Sequence, residues 1–226
     1  MSLLQDLVIF KDRVDAGRRL ALELHSYAGR KDLVVLGIPR GGVVVAFEVA
    51  RALHAPLDIF VSRKLGVPGR EELAFGAAST GDVLLLDQEI VDVLDISQEQ
   101  IQKSAQAARA ELARREKLYR GDRPALLIKG RTVLLVDDGL ATGSSMRAAI
   151  RALRRMKPAQ LVVAVPVAPK ATCIRLKREV DELVCLETPE FFYAIGQFYA
   201  DFSQVTDEEV SELLARAALP ALQDTG

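Results

Sequence analysis

The sequence predicts an α/β fold, doubly wound about a mainly parallel sheet, and three observations carry that expectation. Short runs of nearly continuous Val, Leu and Ile recur along the chain, as strands covered on both faces require. They alternate with stretches of helical periodicity, the order that yields a parallel sheet flanked by helices. Two of the runs, Asp32–Gly37 and Thr132–Val136, lead into glycine-containing turns that open helices. A length of 226 residues suits one domain with elaborations, so residues 1–226 are expected to form a single unit with its core over about 30–186.

In chain order, Asp6 to Ala28 place Leu7, Val14, Leu20, Leu22 and Leu24 among charges, an opening helix that stops at Gly29. The strand Asp32–Gly37 meets the turn Ile38-Pro39-Arg40-Gly41-Gly42, and VVVAFEVARAL after it reads as a buried helix. Leu57–Val61 is a strand. The polar stretch SRKLGVPGREE (Ser62–Glu72) is expected to be a loop before the apolar runs Leu73–Ala78 and Val83–Leu86, a hairpin turning at Gly81-Asp82. A long helix opens at the capping box Ser97…Gln100, with Ile101, Ala105, Ala108, Leu112 and Tyr119 on one stripe and charges opposite. Then come the strand Thr132–Val136, a helix Gly143–Met156, the strand Leu161–Val167, a helix Pro169–Val180 with Pro in its first position, and a short strand Leu183–Cys185. The tail from Thr188 gathers Phe191, Phe192, Tyr193, Phe198, Tyr199 and Phe202 in an irregular stretch, and a final helix starts at Thr206…Glu209.

Bulk properties exclude several classes. Lys and Arg number 30 against 31 Asp and Glu, so no global field draws the chain onto nucleic acid or anionic lipid. No apolar run reaches the ~20 residues that span a bilayer, and the acidic start lacks the basic region of a signal peptide, which makes cytoplasm the expected compartment. Cys173 and Cys185 have no further ligand-type neighbours at metal spacing and read as buried free thiols. His25 and His54 are isolated and receive no role.

The chemistry concentrates in Val133–Ser145, VLLVDDGLATGSS. In open α/β sheets ligands bind at the carboxyl ends of strands, and this strand ends on Asp137 and Asp138, adjacent carboxylates suited to a vicinal diol or to a divalent cation held through water. Gly139, Leu140, Ala141, Thr142, Gly143, Ser144 and Ser145 then open a helix whose free N–H groups and positive end favour a phosphate. A diol site beside a phosphate nest describes ribose 5-phosphate. The plain alternative is an ordinary strand-to-helix turn.

The segment resembles the thirteen-residue motif of the type I phosphoribosyltransferases, which bind phosphoribosyl pyrophosphate (PRPP): an apolar strand, two acids, then a loop of the form x-x-A-T-G-x-[ST]. The resemblance implies a type I phosphoribosyltransferase-like fold, with a small hood expected from the termini, residues 1–29 and 187–226. It implies that Asp137 and Asp138 orient the ribose and that the loop fixes the 5-phosphate. It also implies a pyrophosphate loop after the first core strand, often with a cis or strained peptide, and Pro39, Arg40, Gly41 and Gly42 occupy that place. Arg63 and Lys64 resemble the Arg-Lys stretch of adenine and orotate phosphoribosyltransferases, where the basic pair meets pyrophosphate beneath a mobile loop; taken alone, such a pair is ordinary surface charge. Glu71 and Glu72 fall at the far end of that loop.

The implied activity transfers 5-phosphoribosyl from PRPP to a nitrogenous base or amine, with inversion at C1 and release of pyrophosphate. Asp137, Asp138, Arg63 and Lys64 are the expected catalytic residues and Mg²⁺ the cofactor, held by Asp137 and Asp138 through water. Expected partners are PRPP and an unidentified acceptor, without nucleic acid or membrane, in a homodimer. In 6-oxopurine members a third acid stands where this chain has Ala141, so the motif is closer to the adenine, orotate and amidophosphoribosyl types. The hood candidate Pro189–Phe202 offers Phe191, Phe192 or Tyr193 to stack on a base, with core packing as the alternative. A receiver domain is disfavoured because the VDD here lies past mid-chain and no later strand ends in a phosphoacceptor Asp, and a P-loop motif is absent. The other class of function is a PRPP- or nucleotide-binding regulator without catalysis, although no helix-turn-helix stretch or basic run precedes the core.

Overall fold

The computed structural model describes residues 8–67 and 70–218. Along the chain run α1 (Arg13–Glu23), β1 (Leu33–Gly37), α2 (Gly41–Leu53), β2 (Leu57–Ile59), β3 (Ser62–Val67), β4 (Arg70–Ser79), β5 (Val83–Leu86), α3 (Gln88–Val93), α4 (Gln98–Arg120), β6 (Thr132–Val136), α5 (Ser144–Arg155), β7 (Gln160–Val167), α6 (Lys170–Leu176), β8 (Glu182–Glu187) and α7 (Asp207–Ala218). β1 and β6 are buried at every position, which is why their sequences do not alternate. Successive side chains still point to opposite faces. Leu33 and Val35 of β1 join Leu134 and Val136 of β6 in one core beneath α2, whereas Val34, Leu36, Val133 and Leu135 form a second core beneath α5 and α6. The expected doubly wound architecture is what the chain adopts.

The five-stranded sheet has the order β2-β1-β6-β7-β8, every neighbour parallel. From β1 the chain winds outward to β2, and from β6 it winds the other way to β7 and β8. The reversal falls between β1 and β6, and at such a switch point the loops after two adjacent strands diverge and leave a crevice. Both loops singled out in the sequence, 38–42 and 137–145, leave the sheet there.

Several boundaries differ from expectation. The opening helix is shorter than Asp6–Ala28, because Asp12 accepts a hydrogen bond from Asp15 N at 2.8 Å and caps α1 at Arg13. Its expected start at Asp6 and Leu7 lies outside the described residues. Upstream, Ile9 N and Phe10 N both donate to Phe198 O, and Phe10 bridges to Tyr199, so this stretch follows the C-terminal tail instead. β2 ends at Ile59, α6 occupies less than Pro169–Val180 with Pro169 as its N-cap, and β8 extends beyond Leu183–Cys185.

The larger correction concerns Ser62–Glu72, which is not a loop. β3 and β4 pair antiparallel, with Ser62 opposite Ser79 and Arg63 opposite Ala78, and β5 completes a separate three-stranded sheet. Only Leu65 and Val67 are buried along β3, since one face of this ribbon covers the core and the other meets water. A strand with so few apolar positions reads as polar loop in sequence. Pro68 and Gly69 lie outside the described residues. The turn from β4 to β5 runs through Gly81 and Asp82 with φ of 80° and 58°, as the hairpin expectation required.

α4 is tied to the sheet by a buried ion pair. Arg120 Nε donates to Asp58 Oδ1 at 2.9 Å, while Asp58 also accepts from the N–H groups of Ile59 and Leu126. Both thiols are free; Cys173 is buried, and Cys185 on the edge strand is half-buried rather than fully enclosed. Among the described residues no helix is long and apolar enough to cross a membrane.

Candidate functional site

Backbone hydrogen bonds hold the strand ends in register and so place the candidate loops side by side. Phe60 N donates to Gly37 O, Ile38 N to Val136 O and Leu140 N to Val167 O, each within 3.0 Å. The loop 38–42 therefore departs against the acidic pair. The peptide bond Pro39–Arg40 is cis. A Cβ on Gly42 would stand 2.7 Å from Asp137 Oδ1 and 2.8 Å from Asp137 Cα. One on Gly41 would overlap Asp138 Oδ2 and stand 2.7 Å from Arg13 Nε. A side chain at Gly42 would press on the backbone of β6 as well as on Asp137, and one at Gly41 would have to displace the paired Asp138 and Arg13 side chains.

Asp137 is half-buried and Asp138 buried at the end of β6. Asp138 N donates to Asp137 Oδ1 at 2.9 Å, which fixes the first carboxylate against its neighbour's backbone. Burial pushes the Asp137 carboxyl well above the usual carboxylate range, and the adjacent Asp138 charge pushes it further. Burial also raises Asp138, while the Arg13 guanidinium pulls against it. Arg13, the first residue of α1 and 125 positions away in sequence, donates from Nε to Asp138 Oδ2 at 2.7 Å and from Nη1 to Ser203 O at 2.8 Å. Its guanidinium lies 3.8 Å from the Phe202 ring centroid. Tyr199, buried, donates its hydroxyl to Asp138 O at 2.6 Å, and burial pushes that phenol up.

After the acids, Gly139 passes under the tail, where an added Cβ would come within 2.6 Å of Ile195 Cγ2. Gly143, at φ 75°, is the N-cap of α5 and leaves no room for a side chain, since Thr172 Cγ2 is 2.8 Å from where its Cβ would be. Between them Leu140 is buried, Ala141 and Thr142 are exposed, and α6 holds the loop from below. Thr172 Oγ1 donates to Ala141 O at 2.9 Å and Arg175 Nη2 to Thr142 O at 3.4 Å. Thr142 and Ser144 share a hydroxyl contact at 3.1 Å, and Ser145 is exposed beside them. Ser144 N donates to Thr142 Oγ1 at 3.4 Å, and the N-terminus of α5 and these exposed hydroxyls lie together, the arrangement that receives an anion.

The basic candidates are dispersed. Arg40 is exposed, with Nη1 3.8 Å from Asp207 Oδ1. Asp207 also accepts from Tyr119 OH at 2.6 Å, and the Tyr119 phenol is pushed up to about 12, first by burial and then by that carboxylate. Arg63 and Lys64 are successive residues of a strand, so they point to opposite faces and do not form one cationic clamp. Arg63 Nη1 lies 3.8 Å from Glu111 Oε1 of α4, and Lys64 is exposed on the other face. Glu71 and Glu72 have side chains outside those described. In the tail, Phe192 packs on Phe198 with centroids 5.0 Å apart, whereas Phe191 and Tyr193 are exposed.

Sequence reasoning missed Arg13, Thr172 and Arg175, and read Tyr199 only as one aromatic among six. No local signal marks Arg13, which looks like any charge on an amphipathic helix. Residues 199–202 stand out in the sequence by aromatic content alone.

Over residues 6–203 the chain matches the family described as "Phosphoribosyl transferase domain". It is 44% identical over 209 residues to two Mycobacterium tuberculosis proteins, "Putative phosphoribosyl transferase MT0597" of strain CDC 1551 and "Putative phosphoribosyl transferase Rv0571c" of strain H37Rv. Each alignment covers 92% of this chain and 47% of the other protein, so the chain spans about half the length of the curated relatives it matches. The crystal structure of TT1426 from Thermus thermophilus is similar at a TM-score of 0.82 and 44% identity, covering 93% of this chain and 100% of that one. The family match and the glycine-lined loops around an acidic pair at the switch point agree: the chain belongs to the phosphoribosyl transferase domain family.

Proposed function

We propose that the protein is a PRPP-dependent phosphoribosyltransferase acting on a nitrogenous base or amine. The observation that carries this reading is the meeting of two loops at one point of the sheet. Gly41 and Gly42 lie against Asp137 and Asp138, and the open helix N-terminus of α5 follows within the same loop. In this reading Asp137 and Asp138 hold the ribose hydroxyls and face the positive charge that develops on the ring as the bond from C1 to pyrophosphate breaks. The amides and hydroxyls of 141–145 hold the 5-phosphate. The backbone of 39–42 receives pyrophosphate, with Arg40 released from Asp207 to meet it. Arg63 and Lys64 serve pyrophosphate from a hairpin rather than a loop, one residue at a time. The hood is assigned to the N-terminal stretch and the tail, which are knitted together through Phe10, Phe198 and Tyr199.

Among the described residues no group of three or more His, Cys, Asp or Glu could cage a metal ion, and one oxygen of Asp138 is already paired with Arg13. The residues therefore suit Mg²⁺ only when most of its ligands come from a bound diphosphate and water. Bound in that way, Mg²⁺ would supply positive charge against that of pyrophosphate.

Isothermal titration tests the binding half of this reading: Mg²⁺-dependent PRPP binding is expected and should be largely lost in the double change Asp137→Asn, Asp138→Asn. No binding at millimolar PRPP refutes it. Pyrophosphate release across purine, pyrimidine and ammonia acceptors tests transfer; binding without turnover on any acceptor favours a PRPP-binding regulator instead.

A further inference from the structure

Arg13 is placed against its local preferences. A cation in the first turn of a helix opposes the helix dipole, and its side chain is only 11% exposed. Three contacts compensate: Asp138 Oδ2, Ser203 O and the face of Phe202. α1 and the tail thus cooperate to deliver one guanidinium to one carboxylate of the acidic pair, and Gly41 is the residue that leaves room for it.

The charge of the pair follows. Two adjacent ionised carboxylates at a strand end would carry two negative charges, repelling a polyanionic ligand and attracting any divalent cation present. Arg13 reduces that charge by one and leaves Asp138 with a single oxygen for another partner. We propose that Arg13 is a positioning residue of the acidic pair: it orients Asp138 and occupies the place a divalent cation would otherwise take, so that the ligand-free protein does not recruit metal there. The link from this arrangement to PRPP rests on the function proposed above, but the effect on metal does not.

The test uses the full chain and Mn²⁺ as probe, followed by electron paramagnetic resonance without PRPP. The wild type should show no saturable Mn²⁺ site at the acidic pair. Arg13→Ala should gain one at least about tenfold tighter than any wild-type binding, and Arg13→Ala combined with Asp138→Asn should lose it again. Arg13→Lys, which keeps the charge, should behave as wild type. Loss of packing alone removes sites and does not create a metal site that a second substitution abolishes. Should thermal melting show Arg13→Ala to be unfolded, Arg13→Gln replaces it, with the same gain expected. A folded neutral variant that gains no Mn²⁺ site overturns the proposal, as does a wild-type Mn²⁺ site that Asp138→Asn removes. In parallel titrations with Mg²⁺ and PRPP, Arg13→Ala should bind about tenfold more weakly and Arg13→Lys near wild type. A wild type that binds no PRPP refutes the function proposed above and leaves the Mn²⁺ result standing.

Discussion

Asp137→Asn and Asp138→Asn should move stability in opposite directions, although the residues are adjacent and the substitution is the same. Asp137 accepts a hydrogen bond from Asp138 N, which an Asn Oδ1 can accept equally well, and its charge is disfavoured by burial and by its neighbour. Removing the charge keeps the bond and lifts the penalty, a gain of about 1–3 kcal/mol on the scale of one badly accommodated buried polar group. For a chain of this length that is an increase of roughly 2–12 °C in Tm. Asp138→Asn instead leaves the enclosed Arg13 guanidinium without its counterion, at a cost of about 3 kcal/mol and a fall in Tm of roughly 6–12 °C. The sign of the pH dependence follows from the raised folded-state value at Asp137. The folded chain holds that proton more tightly than the unfolded one, whose Asp titrates near ~3.9, so stability falls as pH rises from there through the folded value and stays lower above it. Asn suffers no such loss, so the advantage of Asp137→Asn should be small near pH ~4 and should grow as pH rises towards the folded-state value. Calorimetric melts of the ligand-free proteins across that range provide the assay. A destabilised Asp137→Asn, or a gain independent of pH, would refute the reasoning.

Three further outcomes are expected. Gly41→Ala should abolish PRPP binding in titration and lower stability by about 1–3 kcal/mol, because its methyl group overlaps Asp138 Oδ2 and crowds Arg13; unchanged binding would mean that the 38–42 loop does not abut the ligand site. Tyr199→Phe deletes only the hydroxyl that donates to Asp138 O and should cost about 1 kcal/mol in chemical denaturation with the fold intact. Asp58→Asn, distant from the acidic pair, should cost about 3 kcal/mol by leaving the buried Arg120 with only the Glu116 carboxylate, 3.8 Å away, while a folded preparation keeps its PRPP affinity.

Much of the frame was legible in the chain. The continuous apolar runs at 32–37, 132–136 and 161–167 identify strands covered on both faces, and a parallel sheet follows from their alternation with helices. Asp137, Asp138 and the small residues after them stand out because the function proposed above needs a diol and a phosphate to be met within a few residues by groups of fixed chemistry. Local periodicity served less well at β3, where one buried side chain in two and a central glycine imitate a polar loop. Arg63 and Lys64 looked like one clamp for the same reason, since adjacency in sequence is adjacency in space for a loop and the reverse for a strand.

The sequence by itself determined the fold class, the acidic pair and the glycine- and hydroxyl-rich loop that opens α5, because each rests on residue chemistry and spacing within about a dozen positions. Only the tertiary structure decided that the loop after β1 lies against that pair, that Arg13 from the first helix neutralises Asp138, and that the tail closes over Gly139 through Ile195. Those contacts join residues up to 125 positions apart. They depend on strand order and on how the two ends of the chain pair, and no local pattern encodes either.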